Sequence, residues 1–349
     1  MLAQSEKIAP AAGTVDCGPL LLCSGDVLNE VQLAYEIAGP DNAPAVLVCH
    51  ALTGNQLTVG TEQQPGWWQG FAGPGDCVDT EKCRVITFNV LGGCNGSTGP
   101  ASLNPETSRP YRTQFPAVTI RDMVHAQYQA LQKLGIRHLA AVIGGSLGGM
   151  QAMEWGLLYP DMMDKLVILA ATPYLTDYGI AFNHIARTAI VSDCNWRDGK
   201  YECGKPIKGF ELARMIGMVT YRSPDLFSAR FKRRQSQSLY DVSSYLNYQG
   251  EKLQKRFDAA SYVCLLNAMD RHDIGAGRGG LEAAAGQFKC PVLFISYDKD
   301  LIFEPELIRR FAAIVPSSVY AHVETEYGHD GFLTEFEKWA PVITQFLNM

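Results

Sequence analysis

The chain contains a series of short, almost continuously apolar segments without polar alternation. Such segments suit strands that are buried on both faces, as in a parallel sheet covered by helices. Stretches of helical length separate several of them, and this repeated order predicts an α/β sheet with right-handed crossovers. The predicted strands cover residues 45–49, 84–90, 139–143, 166–171, 291–296 and 319–323. The predicted helices cover residues 120–134, 150–159 and 306–314.

The strand pattern stops after about residue 175 and resumes at Pro291. The interval has helix-like patterns but no convincing run of buried strands. A helical insertion between two consecutive strands explains it better than two tandem domains do. We therefore predict an α/β core of residues 1–174 and 288–349 with a lid of residues 175–287. Insertions after the carboxyl ends of strands cover the active site of an open α/β sheet. The predicted lid helices cover residues 181–191, 208–220, 227–234 and 252–269.

Charge and cysteine content exclude several classes of protein. The 349 residues include 30 basic and 36 acidic side chains, a net charge of −6. Nucleic acids and anionic membranes both attract a positive surface, so neither is expected as a partner. No apolar run reaches the length of about 18 residues that suggests a membrane span, and the first residues do not resemble a secretory signal. The ten cysteines include no CxxC pair, so we expect a reduced, cytoplasmic protein without a metal site.

The strongest local motif is Gly144-Gly-Ser-Leu-Gly148, which matches G-x-S-x-G. It follows a predicted strand and opens onto a helix-like stretch. In that context a strained turn lifts a serine hydroxyl above the sheet. A chance match is the alternative in a chain with 33 glycines. The flanking strand and helix nevertheless favour Ser146 as a nucleophile.

A serine nucleophile also needs backbone N–H groups where negative charge develops. The amide of Leu147, directly after the serine, is one candidate. The second candidate is Leu52, in the loop that follows the predicted strand 45–49. His50 lies in the same loop but precedes the serine, so a turn-stabilising role suits it better than that of a base.

The base and its orienting acid are expected after the serine, in the order Asp or Glu and then His. His329 lies in a glycine-flanked loop just after the last predicted strand, the most suitable setting for the base. Asp298 and Asp300 both follow the predicted strand 291–296. We favour Asp300, because the segment after it leads into the next helix, and Asp298 is the alternative.

Residues 275–280 fit the dinucleotide-binding pattern G-x-G-x-x-G. They neither follow a clear strand nor open a convincing helix, so the phosphate-binding mechanism lacks its scaffold. We interpret this segment as a loop that closes the insertion.

These residues leave the type of reaction open. A hydrolase and an acyltransferase both form an acyl-serine, and they differ in whether the histidine next deprotonates water or a bound hydroxyl.

Longer motifs run along the chain from about Val31 to Leu347. Together with the serine motif, this ordered set resembles the homoserine O-acetyltransferase family of α/β-hydrolase-fold enzymes. Before the serine, the motifs are His50-Ala-Leu-Thr-Gly54, Pro65-Gly-Trp-Trp68, Asn89-Val-Leu-Gly-Gly-Cys-Asn-Gly-Ser-Thr-Gly-Pro100 and Phe115-Pro-Ala-Val-Thr-Ile-Arg-Asp122. After it, they are Thr220-Tyr-Arg-Ser223, Tyr245-Leu-Asn-Tyr-Gln-Gly-Glu-Lys252, Arg256-Phe-Asp258, Asp270-Arg-His-Asp273 and Gly328-His-Asp-Gly-Phe-Leu333.

The resemblance implies a ping-pong transfer of acetyl from acetyl-CoA, as co-substrate, to the hydroxyl of L-homoserine in methionine synthesis. Ser146 would carry the acetyl group, with His329 and Asp300 as its base and orienting acid. Arg222 would bind the homoserine carboxylate and Asp330 its amino group, since opposite charges fix a zwitterion. The resemblance also implies a homodimer formed through the lid, and no bound cofactor. A succinyl-CoA donor, an L-serine acceptor and hydrolysis of small esters stay open as alternatives.

Overall fold

The computed structural model describes residues 10–202, 204–236 and 238–348. Its centre is an eight-stranded sheet in the order β1-β2-β4-β3-β5-β6-β7-β8. β1 pairs antiparallel with β2, and β2 with β4, whereas the other neighbouring pairs of this sheet are parallel. The strands cover Ala11–Leu21 (β1), Val27–Ala38 (β2), Ala45–Cys49 (β3), Arg84–Phe88 (β4), Ala141–Gly145 (β5), Leu166–Leu169 (β6), Val292–Tyr297 (β7) and Ser318–Val323 (β8).

Helices cover both faces of the sheet. The side chains of α1, α2 and α9 belong to the core on one face, and those of α10 pack with Trp68 and Phe71 on the other. α1 begins at a capping box, in which the Thr119 hydroxyl and the Asp122 carboxylate each accept the other residue's backbone N–H. The helices cover Ile120–Lys133 (α1), Leu147–Leu158 (α2), Asp177–Val191 (α3), Lys208–Thr220 (α4), Pro224–Phe231 (α5), Asp241–Gln254 (α6), Ala259–Asp270 (α7), Leu281–Ala285 (α8), Pro305–Ala312 (α9) and Phe336–Leu347 (α10).

Each predicted strand corresponds to a strand of this sheet, with ends that differ by at most two residues. The hairpin of β1 and β2 was not predicted. It forms the antiparallel edge of the sheet, its buried and exposed residues are mixed, and Gly18 interrupts its register. A half-exposed edge strand that contains glycine and proline lacks the apolar continuity of the central strands.

The helices α3 to α8 all lie between β6 and β7, which are neighbouring parallel strands. The chain thus leaves the sheet, forms helices and returns to the adjacent strand. Tyr174, which follows β6, forms a β-bridge with Asp273, which lies between α7 and α8. The limits 175 and 287 of a separate lid stay a prediction.

Two helix predictions within this segment were wrong. The predicted helix 252–269 is two helices, because α6 ends at Gln254 and the Asp258 side chain caps α7 by accepting the Ser261 N–H at 2.9 Å. The helix predicted over 227–234 instead starts at Pro224 and ends at Phe231, where Lys232 takes a left-handed conformation (φ 50°).

Among the described residues, no helix combines the length and apolar character that crossing a membrane requires.

Candidate active site

Ser146 lies in a tight turn between β5 and α2. Its backbone has φ 59° and ψ −124°, a conformation that side-chain-bearing residues rarely adopt. The flanking glycines allow the chain to pack closely here. A Cβ on Gly144 would lie 2.1 Å from the carbonyl oxygen of Gly148, and one on Gly148 would lie 2.0 Å from that of Cys49. The turn places the serine hydroxyl at the carboxyl end of the central strand β5.

His329 and Asp300 lie beside this hydroxyl, although they are distant in sequence. Nε2 of His329 is 2.9 Å from Oγ of Ser146, and Nδ1 is 2.8 Å from Oδ2 of Asp300. All three side chains are buried. In this chain of hydrogen bonds a neutral His329 can accept the serine proton while the carboxylate holds Nδ1–H.

The backbone after β7 selects Asp300 rather than Asp298. Oδ1 of Asp300 accepts the amides of Ile302 and Phe303, both at 2.9 Å, which leaves Oδ2 for the histidine. Asp298 lines a different surface hollow, with His322 on β8.

The surroundings of His329 act on its pKa in opposite directions. Burial alone would lower the pKa, but the charge and hydrogen bond of Asp300 and the charge of Asp330 outweigh burial. The pKa of His329 is therefore raised above its ordinary value of 6.5. Phe303 stacks on the ring with centroids 5.0 Å apart, which fixes its orientation.

Leu52 lines the same cavity as Ser146, and Leu147 directly follows the serine. Leu52 is in a turn of the loop after β3, and Leu147 is the first residue of α2. Within the described residues, neither N–H donates to a protein acceptor. Both are therefore free to donate to an oxygen bound near Ser146.

His50 holds the loop that carries Leu52. Its Nε2 accepts the Val90 amide at 3.1 Å, so Nδ1 carries the proton and donates to the Ala51 carbonyl oxygen at 2.7 Å. Burial lowers the pKa of His50 to about 4, which keeps the ring neutral near pH 7. The His50 side chain therefore stabilises the turn that contains Leu52.

A cavity of about 230 Å³ opens above Ser146 and His329. The loop after β3 forms one wall, and Phe332 contributes from the segment after β8. The helices α3, α4 and α7 cover it from the inserted segment, with Asn183, Arg214 and Met269 among the lining residues. The helices inserted between β6 and β7 thus complete the enclosure around the serine.

Arg222 and Asp330 also line this cavity, and they contact each other. Nε of Arg222 lies 2.8 Å from Oδ2 of Asp330, and Nη1 donates to the Tyr245 hydroxyl at 2.7 Å. Both side chains are largely buried, with 21% and 14% exposed. The two residues assigned from the resemblance are therefore brought together, but as partners of each other.

Arg214 is a second guanidinium in the cavity wall, which the sequence reasoning missed. Among the residues that the structure describes, it has no carboxylate partner and no hydrogen-bond acceptor. A signal was present, because Arg214 follows Phe210 by four residues and precedes Gly217 by three on the buried face of α4. A partly buried arginine among the core-facing residues of a helix indicates a specific partner.

The segment after α4 packs directly against the loop that carries His329. The amide of Asp330 donates to the Tyr221 carbonyl oxygen at 3.0 Å, and the Ser223 hydroxyl donates to the Glu326 carbonyl oxygen. Nζ of Lys299 lies 2.8 Å from Oδ2 of Asp225 on α5. The inserted helices therefore contribute to the position of the histidine.

The G-x-G-x-x-G segment has a structural contact of its own. Arg278 from this loop pairs with the buried Glu154 of α2 at 2.6 Å, and Arg121 pairs with the same carboxylate at 3.1 Å. The loop thus anchors the end of the insertion to the helix behind Ser146. Across the described part of the chain, no three histidine, cysteine or acidic side chains are grouped as metal ligands.

The strand order and the serine turn define the α/β-hydrolase class, and a family model described as the alpha/beta hydrolase fold matches residues 44–336. A homoserine O-acetyltransferase from Moorella thermoacetica is 43% identical over 94% of this chain and 93% of its own length. A homoserine O-succinyltransferase from Hahella chejuensis is 42% identical over 94% and 91%. The crystal structure of esterase E22 covers 97% of this chain and 100% of its own, with a TM-score of 0.91 and 26% identity. The chain belongs to the homoserine O-acetyltransferase family of α/β-hydrolase-fold enzymes.

Proposed function

We propose that this enzyme transfers an acetyl group from acetyl-CoA to the side-chain hydroxyl of L-homoserine, a step that supplies methionine synthesis. The observation that carries the proposal is the cavity, which holds a hydrogen-bonded serine and histidine beside Arg214 and Asp330. Fixed positive and negative groups beside an acylable hydroxyl suit an acceptor that is an amino acid zwitterion. The homoserine O-acetyltransferase relative supports the same choice of substrates.

In the first half-reaction, Oγ of Ser146 attacks the thioester carbonyl carbon while Nε2 of His329 takes the hydroxyl proton. The amides of Leu52 and Leu147 stabilise the oxyanion that forms. When the C–S bond breaks, the imidazolium returns the proton to the sulfur. Free CoA leaves, and Ser146 carries the acetyl ester.

In the second half-reaction, His329 takes the proton of the homoserine hydroxyl. The oxygen attacks the acyl carbon, and the same two amides receive the oxyanion. The ester bond to Ser146 then breaks, and His329 returns the proton to Oγ. Asp300 keeps Nδ1 protonated and stabilises the imidazolium in both half-reactions.

We further propose that Arg214 binds the substrate carboxylate, instead of Arg222 as the resemblance implies. Arg222 already contacts Asp330 and Tyr245, whereas Arg214 reaches the cavity without a protein acceptor among the described residues. Arg222 then holds the Asp330 carboxylate in place to receive the amino group. A carboxylate left without its arginine loses most of its fixed orientation.

The roles of Arg214 and Arg222 are distinguished by replacing each arginine with glutamine. We expect Arg214→Gln to raise the KM for homoserine about 30-fold or more, because a buried charge pair is lost. Formation of the acyl-enzyme from p-nitrophenyl acetate needs no amino acid and should change little. Arg222→Gln should raise the same KM less and lower kcat, because Asp330 loses its anchor. If only Arg222→Gln raised the KM, the original assignment of the carboxylate to Arg222 would be restored.

The pH dependence of acylation follows from His329, which must be neutral to accept a proton. Because its pKa is raised above 6.5, kcat/KM for p-nitrophenyl acetate should fall as the pH drops through a value above 6.5. The charge of Asp330 is one cause of the raised pKa, so Asp330→Asn should shift this acidic limb to lower pH. An unshifted limb in the variant would contradict this account of the histidine.

The transferase proposal is tested by following CoA thiol release from acetyl-CoA with and without homoserine. We expect release to rise strongly with homoserine. Repeating the assay with succinyl-CoA and with L-serine tests the alternative donor and acceptor. Ester hydrolysis is a second candidate, because the fold is shared with an esterase. It predicts rapid turnover of p-nitrophenyl acetate together with CoA release that does not depend on any amino acid.

We also propose a homodimer that forms through the inserted helices. Of the fourteen large apolar side chains that are exposed among the described residues, eight lie between residues 175 and 287. Ile185 on α3, Leu212 and Val219 on α4, and Tyr248 on α6 are examples. This concentration of exposed apolar side chains in one segment supports an interface there. Light scattering should give the mass of two chains, and the mass of one chain would refute the dimer.

The nine cysteines described by the structure are free thiols. Together with the proposed use of acetyl-CoA, this supports the cytoplasm as the location of the enzyme. Cell fractionation tests this location. Recovery of the enzyme outside the cytoplasmic fraction would refute it.

A further inference from the structure

The cavity above Ser146 is too small to hold a whole acyl-CoA. Its volume is about 230 Å³, whereas pockets for drug-sized ligands span about 300–1,000 Å³. The acetyl group and the amino acid fit a space of this size. The phosphorylated nucleotide of CoA, at the far end of the long pantetheine arm, must bind outside it.

A larger groove of about 620 Å³ lies beside the cavity. Arg256, which lines the groove, donates from Nη1 to the Thr53 carbonyl oxygen at 2.7 Å, and Thr53 lines the cavity. The helix α4 borders both spaces, with Phe210 in the groove and Arg214 in the cavity. The cavity and the groove therefore adjoin at Thr53 and Arg256.

The acidic side chains of the groove are already neutralised. Asp258 pairs with Arg112 at 3.1 Å and also accepts the hydroxyl of Tyr201. Glu202 pairs with Arg197 at 2.7 Å and lies 3.9 Å from Nζ of Lys205.

Two basic side chains of the groove lack such partners. In the described part of the chain, neither Lys255 nor Arg256 contacts a carboxylate. Partial desolvation and the like charge of Arg214 both lower the pKa of Arg256, so two neighbouring positive charges lie where the cavity and the groove adjoin. An anion bound there would relieve this repulsion.

Of the other surface hollows, the one that Arg112 and Arg271 line has a volume of only about 180 Å³, and two more are acidic. One is lined by Asp298, Glu324 and Glu326, and another by Asp177, Glu304 and Glu306. Each of these would repel a phosphate. The groove beside Thr53 instead combines unpaired basic side chains, a volume of about 620 Å³ and a position next to the cavity that holds Ser146.

We propose that this groove binds the 3′-phosphoadenosine diphosphate end of the acyl-CoA donor, with Lys255, Arg256 and Lys205 facing its phosphates. The inference rests on the proposed use of acetyl-CoA and adds the place where the donor is held. Lysine and arginine are the side chains that suit phosphate oxygens. The pantetheine arm would then pass Arg256 and Thr53 to bring the thioester to Ser146.

Reversing two charges at the groove tests the proposal. We expect the double variant Lys205→Glu/Lys255→Glu to raise the KM for acetyl-CoA about tenfold, with kcat little changed. S-acetyl-N-acetylcysteamine, a thioester without the nucleotide, should be used equally well by both proteins. Lys252→Glu is the matched control, because Lys252 is exposed on α6, three residues before Lys255, but does not line the groove. An unchanged KM for acetyl-CoA, or an equal loss with both thioesters, would overturn the assignment.

Direct binding separates failure of the groove from failure of the proposed reaction. Adenosine 3′,5′-bisphosphate, titrated by calorimetry, should bind the wild-type protein and the Lys252→Glu control but bind the double variant more weakly. This result supports the groove even if acetyl transfer to homoserine is not observed. Absence of binding to the wild-type protein, or equal binding to the double variant, overturns the groove while leaving the serine chemistry intact.

Discussion

Replacing Ser146 by alanine is expected to lower CoA release by a factor of about 10⁴ or more, since loss of a serine nucleophile costs this much in related chemistry. Ser146 is the expected acceptor of the acyl group, because its hydroxyl is hydrogen-bonded to Nε2 of His329. Stopped-flow detection of the free thiol, with homoserine saturating, measures the loss. Hydrolysis of p-nitrophenyl acetate should fall in parallel.

The variant must also be shown to be folded. Ser146 keeps its left-handed backbone because of the glycine-lined turn, so alanine should preserve the fold and the melting temperature should change little. Homoserine should still bind, since Arg214 and Asp330 are untouched. A folded Ser146→Ala protein that released CoA at the wild-type rate would exclude the acyl-serine route.

The second large effect is expected for Asp300→Asn, with a loss of about 10⁴ in kcat. The amides of Ile302 and Phe303 both donate to Oδ1 of Asp300. An asparagine oxygen would stay at that position, which turns its NH2 group towards Nδ1 of His329. The ring would then be protonated at Nε2 instead, and it could not accept the proton of Ser146.

Asp298→Asn is the matched control, because Asp298 lies two residues earlier and lines a separate hollow. Its kcat should stay near that of the wild type. Steady-state CoA release by both variants therefore shows which aspartate orients His329. A large loss in Asp298→Asn with little change in Asp300→Asn would contradict the assignment of the acid.

Much of the fold could be predicted from the sequence, because the central strands are apolar on both faces. The Gly144–Gly148 motif likewise indicated the serine turn, since only glycines fit so close to neighbouring backbone. The edge hairpin of β1 and β2 and the break between α6 and α7 were not predicted. Their positions depend on contacts between distant segments and on the cap at Asp258, which local patterns represent poorly.

The site could also be predicted in part, because its central residues follow predicted strands. Ser146, Asp300 and His329 follow strands that are close together in the sheet, so their order in the chain indicated where they meet. The strand order does not predict the pairing of Arg222 with Asp330, which are 108 residues apart. The pairing depends on how the inserted helices dock on the loop after β8. Arg214 could have been noticed as a basic residue among the core-facing positions of α4. Its place in the cavity wall could not have been predicted.

The central claim is that Ser146 carries the acetyl group between acetyl-CoA and homoserine. The enzyme is mixed with acetyl-CoA labelled in the acetyl group, one sample is digested for peptide mass spectrometry, and a second is chased with unlabelled homoserine. We predict label on the peptide that contains Ser146 and, after the chase, quantitative movement of that label into O-acetylhomoserine. Label that never reaches Ser146, or that leaves it only as acetate at a rate homoserine does not change, would contradict the account.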